Sequence, residues 1–196
     1  KQEGKQFSLT AKILKLGFAY LASQDVWQNA KPLMQQLVEQ LNESCSAAVL
    51  EGEDVVYVGR VATTKRVMSV SLNVGTRLPA FATSLGRVLL ADMKDEVLDD
   101  FLTTCSIEQY TAFTLMNKAD LAAEISRVKQ QGYSLVEQEL ELGLTSISVP
   151  VRNQAGKVLG ALSISTHISQ TTKQQVLTSI LPALKACAAA IEQLTY

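Results

Sequence analysis

Cysteine is scarce and poorly placed for pairing: Cys45, Cys105 and Cys187 are odd in number and far apart. No CxxC and no mixed Cys/His spacing occurs, so neither a disulfide framework nor a zinc site is indicated. Reduced thiols in a cytosolic compartment fit this usage. Histidine is scarcer still, since His167 stands alone. No basic excess exists either: 18 Lys and Arg against 19 Asp and Glu give a net charge of −1 and a pI near 5.9. A self-sufficient DNA-binding domain would carry more positive charge. The chain shows no signal peptide, no apolar run of membrane-spanning length, no repeat and no low-complexity tract. It also lacks an initiating Met, which points to a piece of a longer or processed protein.

What is present is ordinary for one domain of generous size: 196 residues, 47% hydrophobic and 19% charged. Residues 1–6 are polar and read as linker. A first helix opens near Ser8 or Thr10 and runs to about Ala22, with Ile13 and Leu16 at helical spacing. A second follows, with Pro32 in its first turn and Leu33, Leu37 and Leu41 down one side. Strands are expected over Ser46–Leu50, Val55–Val61 and Arg66–Leu72, closed by an Asn73-Val74-Gly75 turn. Pro79–Ala91 begins irregular and becomes helical at Thr83–Ser84. Asp95–Leu102 forms a short acidic helix, and 103–117 a loop. Asp120–Gln131 is a helix ended by Gly132. Tyr133–Gln138 is a strand, and Thr171–Leu194 a long helix that Pro182 kinks. This order predicts an α+β fold with a largely antiparallel sheet flanked by helices.

The most informative stretch is the hairpin Ser146–Thr166. At a period of two, Ile147, Val149 and Val151 point one way and Ser146, Ser148 and Pro150 the other. On the second arm Val158, Leu162 and Ile164 share a face, opposite Ala161, Ser163 and Ser165. The branched faces suit packing on helices. Short hydroxyl-bearing side chains cannot fill a core, so the other face either lies in solvent or floors a concave pocket for a small polar ligand.

Catalysis finds little support. A serine nucleophile needs a base, only His167 is available, and no GxSxG turn is present. GxGxxG, a phosphate-binding P-loop and HExxH are also missing. Glu137, Glu139 and Glu141 alternate on an extended segment and read as a solvated edge. A hydrolase using Ser and His167 remains an alternative, as does a pure dimerisation piece. The helix start at Thr83–Ser84 offers free N–H groups to an anion, or Thr83 is simply its cap.

Five stretches, in order, carry a family likeness: LKLGFAYLAS, GEDVVYVGRV, VGTRLPAFATSLGRVLLA, GYSLVEQELELGLTSISVPV and GKVLGALSIS. Together they resemble the C-terminal effector-binding domain of the IclR family of bacterial transcription regulators. The opening FSLTAKILKLGFAYLASQDVW resembles the subgroup that senses aromatic acids such as protocatechuate or 4-hydroxybenzoate. The resemblance implies a GAF- or PAS-like sheet, with residues 1–25 as a linker helix from a missing winged helix-turn-helix domain. Residues 26–196 would form the effector-binding domain. It further implies a cytoplasmic regulator, dimeric or tetrameric, that reaches operator DNA through the missing part and needs no cofactor or membrane. By position, the effector would meet Ser84 and Leu85 at the loop-to-helix turn, then Ser146, Ser163 and Ser165 on the late strands. Val70, Leu78 and Leu144 would form an apolar wall. Small-acid sensors of the family can carry Asp where this chain has Val136, and Cys where it has Ser146, so the pocket here suits an aromatic ring. An aromatic carboxylate wants a cation. Arg66, sharing parity with Met68 and Val70, is placed to supply it, with Arg152 and His167 behind it. A GAF-like sensor of another signalling protein, binding a small aliphatic acid, is the alternative.

Overall fold

A computed structural model describes residues 2–3, 6–7, 10–22, 25–63 and 72–195. Two short strands, β1 (Gln2–Glu3) and β2 (Gln6–Phe7), pair antiparallel where a plain linker was expected. Helix α1 (Ile13–Ala22) follows, and Ser8 lies outside the described residues. Ile13 and Leu16 are exposed on it. Helix α2 spans Asp25–Leu41, so Pro32 sits inside the helix and not in its first turn. Burial explains the difference. Trp27, Ala30 and Met34 are all buried on the inner side of α2. Burying roughly 200 Å² of indole at about 25 cal/mol per Å² contributes about 5 kcal/mol. That exceeds the roughly 3 kcal/mol an interior proline costs.

The central sheet has six strands in the order β5-β4-β3-β8-β7-β6, antiparallel throughout. They are β3 (Ser44–Glu51), β4 (Asp54–Val61), β5 (Arg77–Pro79), β6 (Ser134–Glu137), β7 (Leu144–Arg152) and β8 (Val158–His167). Of the strand expected over Arg66–Leu72, only Leu72 falls among the described residues. Between β5 and β6 run a 3-10 turn (Ala80–Ala82) and the helices α3 (Ser84–Ala91), α4 (Asp95–Thr104) and α5 (Lys118–Gln131). Gly132, at φ +74°, ends α5 as its composition predicts.

The two faces of the sheet carry separate cores. Ile147, Val149, Val151, Leu162 and Ile164 pack with Trp27, Met34 and Leu37 of α2 and with the C-terminal helix. Val55, Tyr57, Ala48 and Ala161 pack on the other side with Leu85 and Val88 of α3 and with Leu121 and Ile125 of α5. Val158 belongs to this second side, contrary to the simple period-two reading. Val151 stands opposite Gly160 but Arg152 opposite Val158, so Leu159 is an extra residue that reverses the parity beyond it.

The C-terminal helix is continuous from α6 (Lys173–Gln175) through a π turn at Val176–Ile180 into α7 (Leu181–Glu192). Pro182 lies just past the wide turn, which relieves the clash between its ring and the preceding carbonyl. By length and composition Lys173–Glu192 is apolar enough to cross a bilayer, although no such run was expected. Its large side chains Val176, Ile180, Leu184 and Ile191 are buried against the sheet and α2.

Candidate functional site

The hydroxyl-bearing face of the hairpin continues across the sheet. Ser163 on β8 lies opposite Ser148 on β7 and Ser46 on β3; Ser148 lies opposite Ser134, and Ser46 opposite Arg60. One rung therefore carries Arg60, Ser46, Ser163, Ser148 and Ser134, one residue per strand. The next rung carries Ser44, Ser165, Ser146 and Val136. α3 touches this face at Ser148, and beside that contact the short side chains of Ser146, Ser163 and Ser165 leave a cavity.

Tyr57, Leu78, Ala82, Thr83, Ser84 and Leu85 line it on one side, with Val136, Glu139, Leu140, Leu144, Ser146, Ser163 and Ser165 completing the wall. Its free volume is about 20 Å³, so the cleft is narrow.

Local sequence positions each wall. Thr83 accepts a hydrogen bond from Gly86 N at 3.1 Å and caps α3. A Cβ on Gly86 would overlap the backbone of Ala80, so only glycine lets the 3-10 turn fold this tightly onto the helix. The N–H groups of Ser84 and Leu85 meet no acceptor among the described residues. Ser84 Oγ and Ser148 Oγ share a hydrogen bond of 2.7 Å that ties α3 to the sheet, and Ser146 and Ser165 share one of 3.1 Å.

Opposite them, Glu139 is buried, not solvated. Gln138 takes φ +61°, which ends the extended run and turns Glu139 inward. Arg87 Nη1 and Nη2 donate to its two oxygens at 2.7 and 2.6 Å, and Leu115 N donates to it at 3.1 Å. Thr111 and Thr114 donate to the carbonyls of Gln138 and Glu139 at 2.6 and 2.7 Å, which fastens the loop 105–117 beside the cavity. Glu137 instead pairs at the surface with Lys173.

Of the residues expected to meet a ligand, Ser84, Leu85, Ser146, Ser163, Ser165, Leu78, Val136 and Leu144 all line this cavity. Arg66, Met68 and Val70 lie outside the described residues. Arg152 is not at the cavity. Its Nη1 is 2.8 Å from Asp92, beside a second cleft bordered by Val88, Val128 and Pro150. His167 is held at the strand end by Ser169, 2.8 Å from its Nδ1, and does not line the cavity either.

Tyr57, Arg60 and Glu139 escape a reading by parity. Ala47 pairs with Gly59 but Ala48 with Tyr57, so Val58 is an extra residue in β4. Three residues apart, Tyr57 and Arg60 should face opposite ways; the bulge turns both to the cavity side. Burial pushes the Tyr57 hydroxyl up to about 12 despite the nearby Arg60 guanidinium, so it remains a neutral donor. Burial likewise lowers Arg60 from its ordinary value, against the opposing pull of Tyr57 and Cys45. Glu139 has no local signal, because its partner Arg87 is distant in sequence.

Residues 18–193 match the family described as Bacterial transcriptional regulator IclR C-terminal. The chain belongs to the IclR family. A Pca regulon regulatory protein of Pseudomonas putida is 43% identical over 184 residues, 94% of this chain and 63% of that protein. The chain thus spans a little under two thirds of that relative. A Pca operon regulatory protein of Acinetobacter baylyi is 34% identical over 191 residues, 96% of this chain and 69% of the relative. Among solved structures, a double mutant of the PobR inducer-binding domain from Acinetobacter, complexed with 3-hydroxybenzoic acid, matches with a TM-score of 0.80. It is 29% identical, covering 86% of this chain and 98% of that one. The α+β expectation and the IclR likeness with its aromatic-acid subgroup both agree with these findings.

Proposed function

We propose that this IclR domain binds an aromatic acid of the hydroxybenzoate class between α3 and the serine rungs, and that occupancy controls DNA binding by the regulator it belongs to. The observation that carries the reading is the set of hydroxyl side chains, Ser146, Ser163 and Ser165, that face the cavity beneath α3. The PobR domain complexed with 3-hydroxybenzoic acid supports the ligand class. In this reading Ser146, Ser163 and Ser165 bond the guest from the sheet. Ser84 and Leu85 offer N–H groups from α3, and Leu78, Val136 and Leu144 enclose the ring. Arg66, Met68 and Val70 would complete the site.

The tight cleft supplies a mechanism. An apolar cavity that takes benzene measures about 150 Å³, far above the 20 Å³ free here. A ring enters once the walls of this cleft part, so the guest favours an opened form. Such differential affinity is commonly about 1–3 kcal/mol of coupling. Residues 1–25 would transmit it to a winged helix-turn-helix head in a dimer or tetramer, and operator DNA would be the readout.

Calorimetry with protocatechuate, 4-hydroxybenzoate and 3-hydroxybenzoate tests this. Saturable binding is expected for at least one acid, and Ser163→Leu, which fills the cleft, should abolish it. Silence across the aromatic panel overturns the assignment. The narrowness of the cleft favours a second reading, a small aliphatic acid, which titration with pyruvate or glyoxylate would reveal.

A further inference from the structure

The serine rung ends on a cation. Arg60 Nη1 donates to Ser46 Oγ at 2.8 Å, and Ser163 Oγ donates to the Ser46 carbonyl at 3.5 Å. One strand spacing, about 4.8 Å, separates Ser46 from the cavity-lining Ser163. The guanidinium is half-buried, and among the described residues it bonds to no carboxylate. Among the described residues, the other arginines beside the two clefts are paired: Arg87 with Glu139, and Arg152 with Asp92. The bulge at Val58 brings the neutral Tyr57 hydroxyl to the same side of the sheet as Arg60. At the opposite wall stands the Glu139 carboxylate, already saturated by Arg87 and Leu115 N. Arg60 and Ser46 flank the cavity at its β4 side, one strand beyond the lining residue Ser163, while the Glu139 charge is neutralised by Arg87. A guest whose carboxylate extends past Ser163 toward β4 would meet a guanidinium that no described carboxylate holds.

We infer that Arg60, steadied by Ser46 and assisted by Tyr57, receives the carboxylate of the bound acid and makes the domain selective for acids over their neutral analogues. This rests on the effector reading above and deepens it. An Arg–carboxylate contact in a half-buried site supplies orientation as well as attraction, because the planar fork matches the two oxygens.

Titration of the domain with 3-hydroxybenzoate and with 3-hydroxybenzamide, which has the same ring and hydroxyl but no charge, tests the inference. The wild type should prefer the acid. Arg60→Gln should lose about 10- to 100-fold in affinity for the acid, the scale of one charge-assisted contact, while keeping its affinity for the amide. Arg60→Lys, retaining charge without the fork, should fall between, and it serves as the second variant if Arg60→Gln does not fold by circular dichroism. Undiminished acid binding by the substituted proteins, or a wild-type acid-to-amide ratio near one, overturns the inference while leaving the effector reading intact. Should another acid of the panel bind in place of 3-hydroxybenzoate, that acid and its amide form the test pair; binding of no panel acid by the wild type overturns both.

Discussion

Arg87 and Glu139 meet fork to fork, N···O 2.7 and 2.6 Å, with the arginine side chain 1% exposed and the glutamate 9%. Neither charge reaches bulk water, and each depends on the other. The pair holds α3 to the segment following β6 across the width of the cavity. Burial of both ions costs desolvation energy that their attraction and the bonds from Leu115 N and to the Phe81 carbonyl offset.

Removing one partner should therefore be expensive. Glu139→Gln is expected to lower stability by about 3–5 kcal/mol, leaving a buried unpaired guanidinium. Arg87→Met combined with Glu139→Leu should cost much less than either single change. Urea denaturation of the three variants checks this. A single variant as stable as the wild type would show that the pair is not a closed ionic unit.

Gly86 and Gly17 form a second contrast. A Cβ at Gly86 would strike the Ala80 backbone, whereas at Gly17 nothing lies within 4 Å. Gly86→Ala should destabilise the domain by about 1–3 kcal/mol, the cost of overpacking a core. Gly17→Ala, on an exposed helix, should stabilise by up to about 1 kcal/mol. Melting temperatures of the two variants should move in opposite directions.

Ser134 ends the serine rung, fully buried, and its hydroxyl has no partner in the described residues. Ser134→Ala removes an unsatisfied polar group at little cost in volume. We expect a gain of about 1 kcal/mol in unfolding free energy. A clear loss in the urea midpoint would reveal a bond that the hydroxyl makes with bound water.

Three buried neutral groups set the alkaline limit. Burial raises Tyr57 from 10.0 to about 12 and Cys187 from 9.0 to about 11; Cys45 also rises, by burial and then by the neighbouring Cys187. The folded state keeps these protons after the unfolded chain has lost them. Their contribution is complete below the unfolded values and is lost as pH climbs through the folded ones. Stability should decline from about pH 9 to 12, and Tyr57→Phe should flatten the part above pH 10 by on the order of 2 kcal/mol. An unchanged slope in that variant would remove Tyr57 from the account.

Much of the site was legible because β-strand parity is strict. Ser146, Ser163 and Ser165 had to share a side, and the Thr83–Ser84 cap had to open α3 beside them. Parity fails where a bulge intervenes, and two bulges decided what the strands could not announce. The extra Leu159 moved Val158 to the α3 side, and the extra Val58 brought Arg60 round to join Tyr57. Both depend on how a neighbouring strand is registered, which local sequence does not state.

The sequence by itself determined the long helices, the strands β3, β4, β6, β7 and β8, the hydroxyl face and the family, since each follows from local spacing or from motifs read in order; the short β5 carries no such pattern. Tertiary structure alone decided that this face floors a cavity, that Glu139 is buried on Arg87, and that Arg152 and His167 are occupied elsewhere. Those outcomes turn on contacts between residues far apart in the chain, such as Arg87 with Glu139 and Ser84 with Ser148. A side chain's environment is set by what folds against it, and that partner is written nowhere near it.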